Sequence, residues 1–128
     1  MADIVPLTDE NRIIAAAGIA RMNQDMRPGL QALCEVSGLE GKQIDSGQIG
    51  FVLGPRINAG GRLARSSKSV EMMLASDKEL ARSIAIELNE HNAERQRLEC
   101  NIFTQCLQRI ESEIDFVNER AIVLMGED

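Results

Sequence analysis

Residues 77–114 read DKELARSIAIELNEHNAERQRLECNIFTQCLQRIESEI, a periodic segment of 38 residues with neither glycine nor proline, against roughly 11 in an average helix. Leu80, Ile84 and Leu88 fall four apart, and Leu98, Ile102, Cys106, Ile110 and Ile114 resume that spacing after a gap. Side chains four apart share one face of an α-helix, so the segment is predicted as a single long helix opened by Asp77. In the gap the stripe carries His91, Asn92 and Arg95 instead of apolar residues. This polar notch has two readings: a helix middle that bridges two bodies in water, or a contact with a ligand or neighbouring domain.

Working upstream, Ser66 or Ser67 can cap a helix through Val70, Met72, Met73 and Leu74. Asp45 or Ser46 can cap another that holds Ile49, Phe51, Val52 and Leu53. Pro28 suits the start of a short helix carrying Leu30, Leu33, Cys34 and Val36, and Ser37-Gly38 stops it. Thr8 is the expected cap of a first helix running to about Asn23, with Asp9 and Glu10 in its first turn and Ile13, Ile14, Ala17 and Ala20 or Arg21 on its face. Downstream, Asp115 to Glu119 reads as a turn and Arg120 to Met125 as a buried strand stopped by Gly126. One strand needs neighbours, so this end, like the apolar Ile4-Val5-Pro6-Leu7 at the other, is expected to continue a larger body.

Composition agrees with a mainly α fold of short helices, one long connecting helix and a short C-terminal strand. The chain is 44% hydrophobic, yet has three Phe and no Tyr or Trp, so its core material is Ala, Leu, Ile and Met. Cys34, Cys100 and Cys106 with a single His91 build neither a disulfide framework nor a zinc site at familiar spacings. Apolar runs fall short of the roughly 18 residues of a membrane span, and no basic-then-hydrophobic leader opens the chain; a cytoplasmic protein without membrane contact is expected.

One segment stands apart. Phe51 to Arg65 reads Phe-Val-Leu-Gly-Pro-Arg-Ile-Asn-Ala-Gly-Gly-Arg-Leu-Ala-Arg, an apolar run that is expected to break at Gly54-Pro55. The net charge is −6, which over the whole chain argues against generic nucleic-acid binding. Between Ser46 and Val70, however, there is no Asp or Glu, while Arg56, Arg62, Arg65 and Lys68 all lie there, so the segment is +4 and the remainder −10. Guanidinium groups offer paired donors to phosphate oxygens, and Gly60 and Gly61 permit close backbone approach. The competing reading is a helix-turn-helix connection with solvated arginines.

Together these residues resemble the middle of the RecJ-type single-stranded-DNA-specific exonucleases of the DHH phosphoesterase superfamily, over nearly the whole chain. Phe51 to Leu63 is similar to the family's phenylalanine, glycine-proline-arginine, asparagine-alanine, glycine-arginine signature; Gly60 departs from an expected alanine. Ala2 to Leu7 followed by Glu10-Asn11-Arg12 resembles the end of the DHH catalytic domain, and Arg27-Pro28-Gly29-Leu30 the start of its next helix. Leu88-Asn89 with Arg95-Gln96 fits the connecting helix, and Ala121 to Asp128 the first strand of a DHHA1-type domain.

The resemblance implies residues 1–7 as the end of the catalytic domain, 8–76 as a helical region with the signature, 77–114 as the connecting helix and 120–128 as the opening of the second lobe. It implies a fragment of a 5′→3′ exonuclease of DNA repair and recombination, with single-stranded DNA and the flanking catalytic and DHHA1 domains as partners. A pair of Mn²⁺ or Mg²⁺ ions is expected in the parent enzyme and none on this fragment. No catalytic residue or metal ligand is assigned: the chain has no DHH triplet, and Asp3 reads as an exposed acid. Arg56 and Arg62 match signature arginines and are expected to bind the DNA backbone and its 5′-terminal phosphate. Arg56 ranks first because Pro55 would place it in a first helical turn, where free N–H groups favour an anion. Asn58 could bind a phosphate or cap, Gly61 gives close approach, and Arg65 and Lys68 are supporting cations. The alternative is a freestanding helical protein-interaction module. A dimer through the exposed strand or the long helix is also expected.

Overall fold

The computed structural model describes residues 5–62, 66–114 and 121–124, and of residues 60–62 and 66 the backbone alone. Helix α1 (Asp9–Gln24) is followed by α2 (Pro28–Val36), then α3 (Ser46–Gln48), which continues through a π-helical turn (Ile49–Leu53) into α4 (Gly54–Arg62). Helix α5 (Ser66–Leu74) precedes the long α6 (Lys78–Glu113). The chain divides into two compact units, residues 1–92 and 93–128.

Local chemistry sets most of the boundaries. Pro28 opens α2, where its missing N–H costs nothing, and Gly38 ends it at φ 71° while Leu39 N–H donates to the Cys34 carbonyl. Asp45 caps α3 in a reciprocal box: its Oδ1 accepts from Gln48 N–H at 2.8 Å and its own N–H donates to Gln48 Oε1 at 2.9 Å. Asp77 caps α6 through Leu80 N–H at 2.8 Å. Thr8 precedes α1 in extended geometry but its side chain makes no capping bond.

The core of the first unit is built by α2, the π turn, α5 and the opening of α6: Ala32, Leu33, Cys34, Leu53, Met72, Ala81, Ile84, Ala85 and Leu88, with Leu39 and Ile44 from the α2–α3 loop. Burial, aided by the neighbouring Glu35 carboxylate, pushes the Cys34 thiol pKa up. At Gly29 a Cβ would stand 2.0 Å from the Met72 carbonyl oxygen, so α2 and α5 approach backbone to backbone. Asn23 at the end of α1 clasps the Ile44 backbone, donating to its carbonyl at 2.8 Å and accepting from its N–H at 2.7 Å. That clasp fixes the segment from which Asp45 launches α3.

Several expectations are corrected. Helix α1 buries none of its residues, and Ile13 and Ile14, assigned to its packing face, are exposed. In α6 Leu80, placed on the apolar stripe with Ile84 and Leu88, is exposed, and the buried side includes Ala81 and Ala85; in α5 Met72 is buried. Small side chains let helices approach closely, and that preference outranks size in choosing the inner face here.

The helix does not break at Gly54-Pro55. Proline lacks a donor and its ring collides with the carbonyl four residues back, here Phe51. The Gly54 N–H donates to the Ile49 carbonyl across a π turn, whose wider ring makes room for the proline and lets the helix continue. Residues 121–124 carry no regular structure, so the predicted strand is absent from its described part, and with it the stated basis for a dimer through that edge. The predicted turn at 115–119 lies outside the described residues. Among the described residues no helix is long and apolar enough to cross a membrane.

Candidate nucleic-acid interface

The continuous helix through Pro55 changes the setting of Arg56. The residue sits in a helix interior, so the expected free N–H groups and dipole of a first turn are not available to an anion there. Its guanidinium is held instead by side-chain geometry. Nε donates to Asn89 Oδ1 at 2.8 Å, and Nη1 donates to the Val52 carbonyl, within the π turn, at 2.7 Å. Asn89 follows the fully buried Leu88 on α6, so the core packing that seats Leu88 also fixes the height at which Asn89 meets Arg56.

Both acceptors are neutral. Burial lowers the Arg56 pKa, because desolvation disfavours the charged form, yet an arginine starts so high that it remains a cation. No carboxylate among the described residues pairs with it, and Nη2 has no acceptor there. A half-desolvated cation held by dipoles alone gains more from an incoming anion than a solvated one does, because part of its hydration has already been lost.

Lys68 is set differently. Its ammonium forms a part-buried ion pair with Glu87, which balances its charge within the fold. Glu87 and Asn89 flank Leu88, and residues two apart on a 3.6-residue helix leave it about 200° apart, so Arg56 and Lys68 attach to opposite flanks of α6. The structure therefore does not gather all the cations of the basic segment into one cluster. Asn58 lies mid-helix in α4 with its side chain exposed, which removes the capping role. Gly61 and Arg62 are described only as helical backbone, and Arg65 lies outside the described residues. Ser69 ties α5 to α4 by donating to the Ile57 carbonyl at 2.7 Å.

The polar notch is resolved in part. Asn92 is 1% exposed and has a partner, so this position belongs to the first unit's interior and is not bathed in water. His91 is half-buried, with Nδ1 unpartnered among the described residues. No group of three His, Cys, Asp or Glu side chains that could hold a metal comes together among the described residues. Sequence reasoning missed Asn89 as a site residue; its signal is an uncharged polar residue directly beside a core leucine of the stripe.

Fold and site together define a helical segment holding a partly buried arginine that no carboxylate among the described residues neutralises. Known proteins give that class a family. The chain is 39% identical over 112 residues to the single-stranded-DNA-specific exonuclease RecJ of Dickeya dadantii, covering 87% of this chain and 19% of that protein. It is 34% identical over 125 residues to RecJ of Thermus thermophilus, 98% of this chain and 18% of the relative. A crystal structure of Thermus thermophilus RecJ with Mn²⁺ superposes with a TM-score of 0.72 at 34% identity, over 88% of this chain and 17% of that one. A second structure, of exonuclease RecJ bound to manganese, gives 0.71 over 84% of this chain. No family model matches the chain. In sequence and fold the chain is similar to one section of the RecJ exonucleases, and it spans less than a fifth of the length of these curated relatives. The likeness favours that kinship over a freestanding interaction module.

Proposed function

We propose that this chain is the helical section of a RecJ-type exonuclease that holds single-stranded DNA by its phosphates, with Arg56 as the principal contact. The parent enzyme removes nucleotides from a 5′ end in DNA repair and recombination, and its place of work is the cytoplasm, where the DNA lies. The observation that carries the reading is the Arg56 guanidinium: part-buried, charged, held by two neutral acceptors and lacking a carboxylate among the described residues. Support comes from the relatives, which are named single-stranded-DNA-specific exonucleases.

Arg62 is the second phosphate contact, with Gly61 allowing the strand close to the helix end. Asn58 offers an exposed amide on α4, and Arg65 and Lys68 are auxiliary cations. Lys68 is the weakest of these, because reaching DNA means leaving Glu87. The flanking catalytic and DHHA1-type lobes are partners within the same parent chain. Mg²⁺ or Mn²⁺, held in solved RecJ structures, would supply an activated water and stabilise the leaving oxygen from the catalytic lobe. The part played by residues 1–128 is to bind and orient the strand.

The test is Arg56→Ala in the full-length enzyme, compared on 5′-phosphorylated and 5′-hydroxyl oligonucleotides. The phosphorylated substrate loses about 1.5 to 3 kcal/mol, the size of a charge-assisted contact, and the hydroxyl substrate loses less. Equal losses on both remove the end-recognition role.

A further inference from the structure

The clasp on Arg56 crosses 33 residues of sequence, from the basic segment to α6, and uses an amide where a carboxylate would fit the same space. An aspartate at 89 would satisfy Nε equally well and would also neutralise the guanidinium. Asparagine supplies the hydrogen bond and leaves the charge intact. The second clamp, the Val52 carbonyl, is neutral as well, and with Nε and Nη1 engaged the orientation of the planar group is set while Nη2 stays unengaged. At Lys68, on the other flank of the same helix, α6 presents Glu87, so one helix balances one cation of the segment and spares the other.

We propose that Asn89 is a positioning residue for phosphate binding: a neutral acceptor that aims the Arg56 guanidinium at a DNA phosphate without discharging it. This rests on the reading that Arg56 holds DNA. Two consequences separate it from ordinary structural packing. Removing the acceptor loosens the guanidinium but keeps its charge for the strand. Replacing it with a carboxylate holds the guanidinium at least as firmly and takes the charge away. Affinity and folding stability therefore move in opposite directions in the Asp variant, which a merely structural hydrogen bond does not produce.

The experiment uses the full-length enzyme with a 5′-phosphorylated single-stranded oligonucleotide in EDTA, so that binding is read without cleavage. Affinity is measured across a salt series for wild type, Arg56→Ala, Asn89→Ala, Asn89→Asp and the Arg56→Ala/Asn89→Asp double variant, with thermal melting of each. Asn89→Asp is expected to bind at least roughly tenfold more weakly while melting no lower than wild type. Its slope of log affinity against log salt is expected to fall by about 0.7, the loss of one single-strand phosphate contact, matching Arg56→Ala. Asn89→Ala loses less than Asn89→Asp, and the double variant binds no worse than Arg56→Ala alone.

If Arg56→Ala weakens binding while Asn89→Asp binds like wild type, the positioning role is overturned and the function of Arg56 stands. An Asn89→Asp penalty that persists undiminished in the Arg56→Ala background overturns it too, because the carboxylate then repels DNA directly. So does an Asn89→Ala loss as large as that of Asn89→Asp. If Arg56→Ala itself leaves affinity and salt slope unchanged, the DNA-binding reading of Arg56 falls, and the role of Asn89 with it.

Discussion

Helix α6 contains two stretches written in nearly the same pattern and treated very differently by the fold. From Lys78 to Asn92 the inner side is closed over: Ala81, Ala85 and Leu88 are fully buried, and Ile84 nearly so. From Ala93 to Glu113 the same four-residue spacing continues, yet Leu98, Ile102, Phe103 and Leu107 are all exposed. Periodicity states which residues share a face of a helix. It does not state whether anything covers that face, because covering depends on the neighbours that tertiary structure supplies. In the first stretch those neighbours are α2, the π turn and α5, and the polar Asn89 and Glu87, which hold Arg56 and Lys68, lie on the flanks of that packing.

The largest effect that can break this comparison is Leu88→Ala. Leu88 is 0% exposed, and truncating a buried leucine costs about 2 to 5 kcal/mol through lost transfer energy and the cavity left behind. Urea unfolding of the 128-residue chain, followed by far-UV circular dichroism, measures it. A loss below about 1 kcal/mol would mean the first stretch is not core in solution, and the contrast with the second would vanish. Asn92→Ala comes next, at about 1 to 3 kcal/mol, because Asn92 is buried and engaged, and truncation removes that interaction from the interior. The same titration checks it, and an unchanged midpoint would place the notch in water after all.

How much of this was legible follows from where the controlling chemistry lies. Starts and stops set by short-range groups were readable: Pro28, the Ser37-Gly38 stop, the Asp45 box and Asp77 all act within a few residues of themselves. The continuation through Gly54-Pro55 was not, because proline reads locally as a breaker and only the π turn just before it makes room for the ring. The inner face of α6 was half legible: Ile84 and Leu88 announce themselves by size, while Ala81 and Ala85 are inner residues only because of how closely the neighbouring helices pack. Arg56 could be picked out as a cation in acid-free surroundings. What makes it special, the neutral clasp of Asn89 and the pairing of Lys68 with Glu87 instead, depends on residues from 19 to 33 positions away and needed the fold.

The smallest expected effect sharpens the comparison most. Ile102 carries the same stripe position as Leu88 by spacing, but it is 40% exposed in the second stretch. Truncating it to alanine removes atoms that are already largely wetted, so little transfer energy is lost and no enclosed cavity forms. Alanine is also the better helix former, which returns a few tenths of a kcal/mol at a position where packing does not decide. The two terms oppose each other, and Ile102→Ala in the 128-residue chain is expected to change stability by less than about 0.5 kcal/mol in either direction. A loss near that of Leu88→Ala would show that the second stretch is covered in solution, and that burial along α6 follows its spacing after all.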